Sequence, residues 1–299
     1  MQELYQYIEY LKNEKHKPKN TLAAYRADLE IFLNYLESVN KSIKKSTRAD
    51  VLKFADSQLE SGKSSATVAR YLSSVKGFYN YLYTEKKLPV NISRSVKNKP
   101  FVQKSVEYLT VDEMERLLMQ PDITDPKGMR DKTIIELLYA TGLKITEFIE
   151  INVSDVNVDL KHIILKKGEN MRYVPIHDAA AELLELYIKN IRPLFTYCSD
   201  EAALFVNVDG ARITRQGLWK LIRKYGTDAG IKKDVTVQTI RNSYAVHLLE
   251  NGADMRTVQR LLGHTKLSTT QNYSYSLKLS GQADVYRKYH PRSSLVKRK

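Results

Sequence analysis

Residues 238–273 of the chain read QTIRNSYAVHLLENGADMRTVQRLLGHTKLSTTQNY. The stretch places Arg241 near the start of one helical run, Gly263 and His264 at the close of a second, and Tyr273 nine residues after His264. Cations that hold a phosphate, together with a tyrosyl oxygen that displaces an alcohol, form a set able to attack a phosphodiester. The stretch therefore predicts a phosphate-directed site on a helical frame.

The composition favours a polyanionic partner. The 299 residues contain 48 Lys plus Arg against 34 Asp plus Glu, a formal charge of +14. Nucleic acid is the default partner for so large a basic excess, and a merely basic enzyme is the alternative. A single cysteine, Cys198, excludes an intrachain disulfide and a cysteine metal cluster. The N-terminal residues have the pattern of neither a signal peptide nor a membrane span, so we expect a cytoplasmic, nucleoid-associated protein.

Residues 1–85 are predicted to form a helical domain. Apolar stripes run through TLAAYRADLEIFLNYLE and TVARYLSSVKGFYNYLYTE. Arg70 and Lys76 lie on the basic face of the second of these helices, where they either contact phosphates or are simply solvated. Residues 86–105, KKLPVNISRSVKNKPFVQKS, have no sustained period. We expect them to form a basic linker that lies along DNA rather than packing into a core.

Residues 106–299 are predicted to form the second domain. Thr110 opens a capping box, and the apolar helix DKTIIELLYATGLK ends at Gly142. In HIILKKGENMRYVPI the period changes to two, which indicates a β-hairpin turning around residues 167–170. Thr214 can cap the basic helix RQGLWKLIRKYG. The expected fold class is mainly α with a small β-sheet (α+β).

Taken together, these motifs resemble the tyrosine recombinase (phage integrase) family, most closely its Xer-like members. The resemblance covers nearly the whole chain, through NTLAAYRADLEIFLNYL, LTVDEMERLL, RDKTIIELLYATGLKITE, KKGENMRYVPI and the opening stretch. It implies a SAM-like core-binding domain and a catalytic domain that form a C-shaped clamp on DNA. In such enzymes a tyrosine attacks a DNA phosphate, forms a 3′-phosphotyrosyl link and releases a 5′-hydroxyl, without a metal or any other cofactor.

The resemblance assigns roles to individual positions. Tyr273 matches the nucleophile, Arg241 matches an arginine that clamps the scissile phosphate, and His264 matches a histidine that hydrogen-bonds it. Lys167 matches the hairpin lysine that protonates the leaving 5′-oxygen, although Lys166 beside it leaves the register open by one residue.

Two positions depart from the family pattern. Lys144 stands where the family has its first arginine, and Gln238 stands where it has histidine or sometimes lysine. Lys144 keeps the charge without the planar fork of a guanidinium, and Gln238 keeps a donor that cannot carry charge. A recombinase-fold DNA-binding partner or regulator with weakened or no catalysis is therefore the alternative to an active recombinase. Relaxation of supercoils by the same tyrosine chemistry is a third hypothesis.

The resemblance also implies the partners. These are double-stranded DNA with a specific recombination site, and either further copies of the chain or a related recombinase, assembled as a tetramer on two sites. Residues beyond Tyr273, around 282–289, are expected to dock on a neighbouring subunit. Arg215, Gln216 and Lys220 on the basic helix are further candidates for DNA contact. No membrane partner is expected.

Overall fold

The computed structural model describes residues 2–96, 106–167, 170–197 and 201–273. The chain divides into two compact units, Met1–Gln103 and Lys104–Lys299. Both are mainly helical and the second contains a small sheet, which confirms the predicted fold class. Within the described ranges, no helix combines the length and the apolar character needed to span a bilayer.

The first unit is a group of four helices with an aromatic centre. Phe32 packs edge-on against Phe54 with 5.1 Å between ring centroids, and Tyr79 lies 6.0 Å from Phe32 on its other side. All three rings are fully buried, so the apolar stripes of the sequence face one another as predicted. The helices are α1 (Gln2–Asn13), α2 (Lys19–Ser38), α3 (Arg48–Glu60) and α4 (Ser65–Thr84).

The segment that follows α4 also belongs to the first core. Leu88 and Val96 are buried in that core, and Ile92 packs against it. Our expectation that residues 86–105 stay out of a core is therefore wrong for residues 86–96. The reason is that Leu88, Ile92 and Val96, spaced four residues apart, form an apolar stripe that faces the core. The many charged residues between them hide this stripe in the sequence. Residues 97–105 lie outside the described ranges.

The second unit begins at the predicted capping box. The backbone N–H of Thr110 donates to Glu113 Oε2 at 2.8 Å, and that of Glu113 donates to Thr110 Oγ1 at 3.2 Å. Thr214 caps the basic helix by accepting from the N–H of Gly217 at 3.0 Å. Residues 267–273 are also helical. The bounded helices are α5 (Val111–Leu118), α6 (Pro126–Thr141), α7 (Ile145–Glu150), α8 (Asp178–Leu186), α9 (Pro193–Thr196), α10 (Arg215–Asp228), α11 (Val237–Glu250) and α12 (Met255–Leu262).

The sheet has three antiparallel strands in the order β1 (Val156–Asn157), β2 (His162–Lys167) and β3 (Asn170–Pro175). The predicted hairpin is confirmed as β2 and β3, with Ile163 opposite Val174 and Leu165 opposite Arg172. Ile163 and Val174 are buried, so they define the inner face of the hairpin. Since side chains alternate along a strand, Arg172 shares that inner face.

A buried polar network joins α6 to α10. Arg130 donates to Asp131 Oδ1 at 2.7 Å, and the hydroxyl of Tyr225 donates to Asp131 Oδ2 at 3.0 Å. Arg130 also donates to the carbonyl of Val206 at 3.1 Å. Because every charge has a partner, the network fixes how α6 and α10 pack and carries no unpaired ion into the core.

Candidate active site

Two helices that end in glycine supply the acceptors for Arg241. Gly142 (φ +56°) follows α6 and Gly263 (φ +64°) follows α12, both in the left-handed conformation that glycine adopts without strain. Arg241 Nη1 donates to the carbonyl of Gly142, and Nη2 donates to the carbonyl of Leu262 at 2.9 Å. Helix C-termini carry partial negative charge, so both ends stabilise the guanidinium, which is only 2% exposed.

His264 lies beside Arg241 and its protonation state follows from its contacts. Its Nε2 is 2.9 Å from Arg241 Nη2, and its Nδ1 is 2.9 Å from Thr270 Oγ1. Since arginine can only donate, Nε2 is the acceptor and the neutral ring carries its proton on Nδ1. Burial, followed by the charges of Arg241, Lys144 and Arg172, lowers the pKa of His264 to about 4. The ring is therefore neutral at physiological pH.

Tyr273 completes this group. It is 4% exposed, hydrogen-bonds Arg241, and stacks on His264 with ring centroids 6.2 Å apart and planes 13° apart. Burial raises the pKa of Tyr273, while the charge and hydrogen bond of Arg241 lower it. The apolar part of the ring packs with Val258 and Leu262. The structure thus brings together the arginine, histidine and tyrosine of the opening stretch.

Lys144 belongs to one cluster with Arg241, His264 and Tyr273, and it is linked to that cluster through the carboxylate of Glu147. Its backbone N–H donates to Glu147 Oε2 at 3.0 Å, and its Nζ lies 3.8 Å from Glu147 Oε1. Arg172 Nη2 donates to the same Oε2 at 3.2 Å. Three cations, counting Arg241, therefore accompany one carboxylate and a neutral histidine. The cluster has a surplus of two positive charges, as a site for a phosphodiester requires.

The strand register places Lys166 on the outer face of the hairpin. Lys166 is opposite Met171 on the outer face, where its Nζ lies 3.7 Å from Asp155 Oδ1 and its side chain is 64% exposed. Position 167 pairs with position 170 at the end of the hairpin. Lys166 is therefore engaged on the face of the hairpin away from Arg172.

Gln238 is engaged by another residue of α11. It is exposed on the first turn of α11, and its Nε2 donates to Asn242 Oδ1 at 2.8 Å. Asn242 in turn donates to the carbonyl of Glu107 at 2.8 Å. The amide therefore takes part in anchoring the start of the second unit to α11.

In the first unit, Arg70 has a structural partner. Its Nη1 lies 2.5 Å from Oδ1 of Asp28, a carboxylate that is 1% exposed and also accepts from Ser74 at 2.8 Å. Arg70 thereby compensates a buried charge between α2 and α4, while about half of its side chain remains exposed. Lys76 is half-buried farther along α4.

The outer face of α10 is basic and exposed. Arg215, Gln216 and Lys220 are all exposed. Trp219 lies among them with 43% of its surface exposed, and the guanidinium of Arg223 stands 5.1 Å from its ring centroid. An exposed aromatic ring within a basic helix face is suited to a nucleic-acid surface.

Sequence reasoning missed three residues of the cluster. Arg172 could have been found from strand alternation, since it has the parity of the buried positions of β3. Glu147 could have been predicted from its position three residues after Lys144, because a carboxylate there accepts from the backbone N–H at the start of the helix. For Thr270, a hydroxyl within LSTTQN, we find no local signal.

Comparison with known proteins agrees with this geometry. Residues 107–279 match the phage integrase family, and residues 4–86 match the N-terminal SAM-like domain of phage integrases. The tyrosine recombinase XerD of Staphylococcus epidermidis is 38% identical over 96% of this chain and 98% of its own length. XerD of Listeria innocua is 36% identical over the same shares.

Solved structures give the same family likeness. The XerA recombinase is 27% identical, covers 97% of this chain and 99% of its own, and superposes with a TM-score of 0.54. The XerH site-specific recombinase bound to palindromic difH DNA is 21% identical over 94% of this chain and 83% of its own, with a TM-score of 0.76, a likeness of fold alone. From the two matched domains and the full-length relatives, we conclude that the chain belongs to the phage integrase family of tyrosine recombinases.

Proposed function

We propose that the protein is a site-specific DNA recombinase that cuts and rejoins DNA through a 3′-phosphotyrosyl intermediate on Tyr273. The observation that carries the proposal is the contact of Tyr273 with Arg241 and His264 inside a cluster with surplus positive charge. Full-length similarity to XerD tyrosine recombinases supports it.

The proposed reaction exchanges one phosphate ester for another. The phenol oxygen of Tyr273 attacks phosphorus as the phenol loses its proton. The bond from phosphorus to the 5′-oxygen breaks, and that oxygen takes up a proton and leaves as a hydroxyl. The hydroxyl of a partner strand then reverses the exchange, so bond energy is conserved and no cofactor is consumed. Arg241 holds a non-bridging oxygen, where charge accumulates in the transition state, and His264 does the same once its Nε2 carries a proton to donate.

The remaining roles fall to residues at the end of β2, the start of α7 and the start of α11. Lys167 supplies the proton to the 5′-oxygen, a task suited to a lysine near a phosphate. Lys144 contributes charge from its place beside Glu147. Gln238 contributes a hydrogen-bond donor once DNA draws its amide away from Asn242.

DNA contact is assigned to the basic face of α10 and to the first unit. Arg215, Gln216 and Lys220 meet phosphates and base edges, and Trp219 between them excludes water from that surface. Arg70 and Lys76 make phosphate contacts from the first unit, with Arg70 held in place by Asp28. Each unit is thus proposed to contact duplex DNA.

The assembly is proposed to be a tetramer on two paired sites, formed by copies of this chain or by this chain and a related recombinase. The segment expected to dock on a neighbour, residues 282–289, lies outside the described ranges. Its truncation after residue 280 should weaken assembly more than binding of one half-site. We place the protein in the cytoplasm on chromosomal DNA, as its basic charge favours.

The test begins by mapping genomic DNA fragments that the full chain retains and narrowing them to a shared site. A duplex of that site with a nick next to the scissile phosphate then traps the covalent intermediate, because the short released strand diffuses away. We expect a protein–DNA adduct that resists denaturation. Tyr273→Phe should bind the same duplex and form no adduct, whereas Tyr275→Phe should react like the unaltered chain.

Binding without any adduct on the mapped site would contradict a recombinase. It would leave the DNA-binding regulator as the surviving hypothesis. Relaxation of supercoiled DNA that lacks the mapped site would instead favour topoisomerase activity.

A further inference from the structure

Arg172 is a guanidinium of the cluster to which no role has been given. It projects from the inner face of β3, and Nη2 donates to Glu147 Oε2 at 3.2 Å. Nη1 is buried and finds no hydrogen-bond acceptor anywhere in the described part of the chain. A buried N–H without an acceptor costs free energy, so its presence in a native site calls for a partner that arrives later.

Arg241, in contrast, already has four partners in the protein. It donates to two helix-end carbonyls and contacts His264 Nε2 and the hydroxyl of Tyr273. Four of its five N–H donors are therefore already directed at protein atoms. Arg172, by contrast, has a buried terminal nitrogen that donates to none of the described residues.

The surroundings of Arg172 suit an anion. Its charge and those of Lys144 and Arg241 together lower the pKa of His264, so all four groups lie within electrostatic reach of one another. Glu147 is shared between Lys144 and Arg172 and neutralises only one of the charges. The guanidinium lies against the backbone of Gly263, where any side chain would occupy its space.

We propose that Arg172 donates to a non-bridging oxygen of the scissile phosphate and so serves as the second arginine of the site, the part that Lys144 cannot fill. The inference rests on the proposed recombinase function. A lysine at 144 supplies charge from a single point, whereas a guanidinium can bind two oxygens in one plane. Arg172 makes and breaks no covalent bond, and it transfers no proton.

The experiment compares two nicked substrates that differ at one atom. In the first the scissile phosphate is ordinary. In the second a methyl group replaces one non-bridging oxygen of the scissile phosphate, so the phosphate no longer carries the negative charge that a cation must balance. The two diastereomers of this methylphosphonate are tested separately. The rate of adduct formation is measured for the unaltered chain and for Arg172→Gln and Arg172→Lys. Lys166→Gln, on the outer face of the same hairpin, is the matched control.

We expect Arg172→Gln to slow adduct formation on the ordinary phosphate by about 10²–10³-fold. On one methylphosphonate diastereomer its rate should come within a fewfold of the unaltered chain. Arg172→Lys keeps the charge and the fold, so it should lose less of the cleavage rate than Arg172→Gln. The same diastereomer should restore that rate. The control should match the unaltered chain on both substrates.

Two outcomes overturn the inference while the recombinase stands. One is an equal loss on both substrates, which marks Arg172 as structural, and the other is no loss at all. If the unaltered chain forms no adduct, the proposed function fails and takes the inference with it.

A second arrangement tests the link to Lys144. If Arg172 performs the role of the arginine that the family has at position 144, a guanidinium placed at that position should make Arg172 less important for cleavage. The loss caused by Arg172→Gln should therefore be at least about tenfold smaller in a Lys144→Arg background, because residues that share one phosphate are not additive. Additive losses would show that the two positions act separately.

Discussion

Nη1 of Arg172 lies so close to the backbone of Gly263 that a Cβ at position 263 would stand 1.8 Å from that nitrogen. We expect Gly263→Ala to push the guanidinium out of the cluster and to slow adduct formation at least about tenfold. The left-handed backbone adds a cost of about 1 kcal/mol in stability. Both are measured on one preparation, by nicked-substrate kinetics and by urea unfolding.

Gly230→Ala is the matched control, since Gly230 has φ +66° and nothing within 4 Å of an added Cβ. It should show the stability cost without the kinetic one. Equal activity of the two alanine variants would mean that the contact with Arg172 has no bearing on cleavage.

The ring of His264 should stay neutral well below the usual range of histidine. With a pKa near 4 in the folded chain and about 6.5 when unfolded, the unfolded state binds the extra proton first. The free energy of unfolding contributed by His264 is therefore present above pH 6.5 and lost as the pH falls towards 4. Nitrogen NMR of the ring should report the Nδ1–H tautomer at pH 6. Titration of the His264 ring near pH 6.5 in the folded chain would contradict the arrangement, and a His264→Gln spectrum supplies the assignment.

Thr270 should matter through its hydroxyl alone. Thr270→Val keeps the shape and leaves the Nδ1–H of His264 without its acceptor in a fully buried place. We expect a loss of about 1–3 kcal/mol in urea unfolding and slower cleavage. Thr270→Ser retains the oxygen and should behave like the unaltered chain; a serine variant as weak as the valine variant would assign the effect to the methyl group.

Arg70 should be needed for folding as well as for DNA. Arg70→Gln removes the charged partner of Asp28, which is 1% exposed. Since Arg70 itself is half exposed, we expect a loss of about 1–3 kcal/mol rather than the larger cost of breaking a fully buried pair. Arg215→Gln on the exposed face of α10 is the comparison and should weaken DNA binding in a gel shift without changing the unfolding midpoint. A stable Arg70→Gln chain would remove the structural role.

Gln238→His tests whether the departure at that position limits the rate. An imidazole there can carry charge and share a proton, so we expect adduct formation to accelerate, by up to about 10²-fold. Gln238→Asn offers an amide of similar chemistry and should not accelerate the reaction. An unchanged rate with histidine would show that the other cations already suffice.

Much of the frame could be predicted because its signals are local. A capping box needs only Thr110 and Glu113, and a left-handed helix end needs only a glycine such as Gly142 or Gly263. The start of α6 was also readable, since Asp125 caps it and Pro126 suits the first turn. We instead expected that helix to begin near Asp131, where the apolar run starts.

What could not be predicted depends on contacts between distant segments. The use of Arg172 is decided by Glu147, 25 residues earlier in the chain, and by the backbone of Gly263. We expected Arg70 either to contact phosphates or to be solvated, because its partner Asp28 lies on another helix, 42 residues away. In the segment after α4, Leu88 and Val96 find their places only once the four helices have formed a surface to receive them.

The near-complete burial of Tyr273 has a consequence for the fate of a cut DNA strand. Its ring stacks on His264 on one side and packs among aliphatic side chains on the other. An ester formed at the phenol oxygen would be protected from hydrolysis by the same side chains that bury the phenol. If Tyr273 is the nucleophile, as proposed, water would compete poorly with a DNA hydroxyl for that ester, and the burial of Tyr273 would favour resealing over a permanent break.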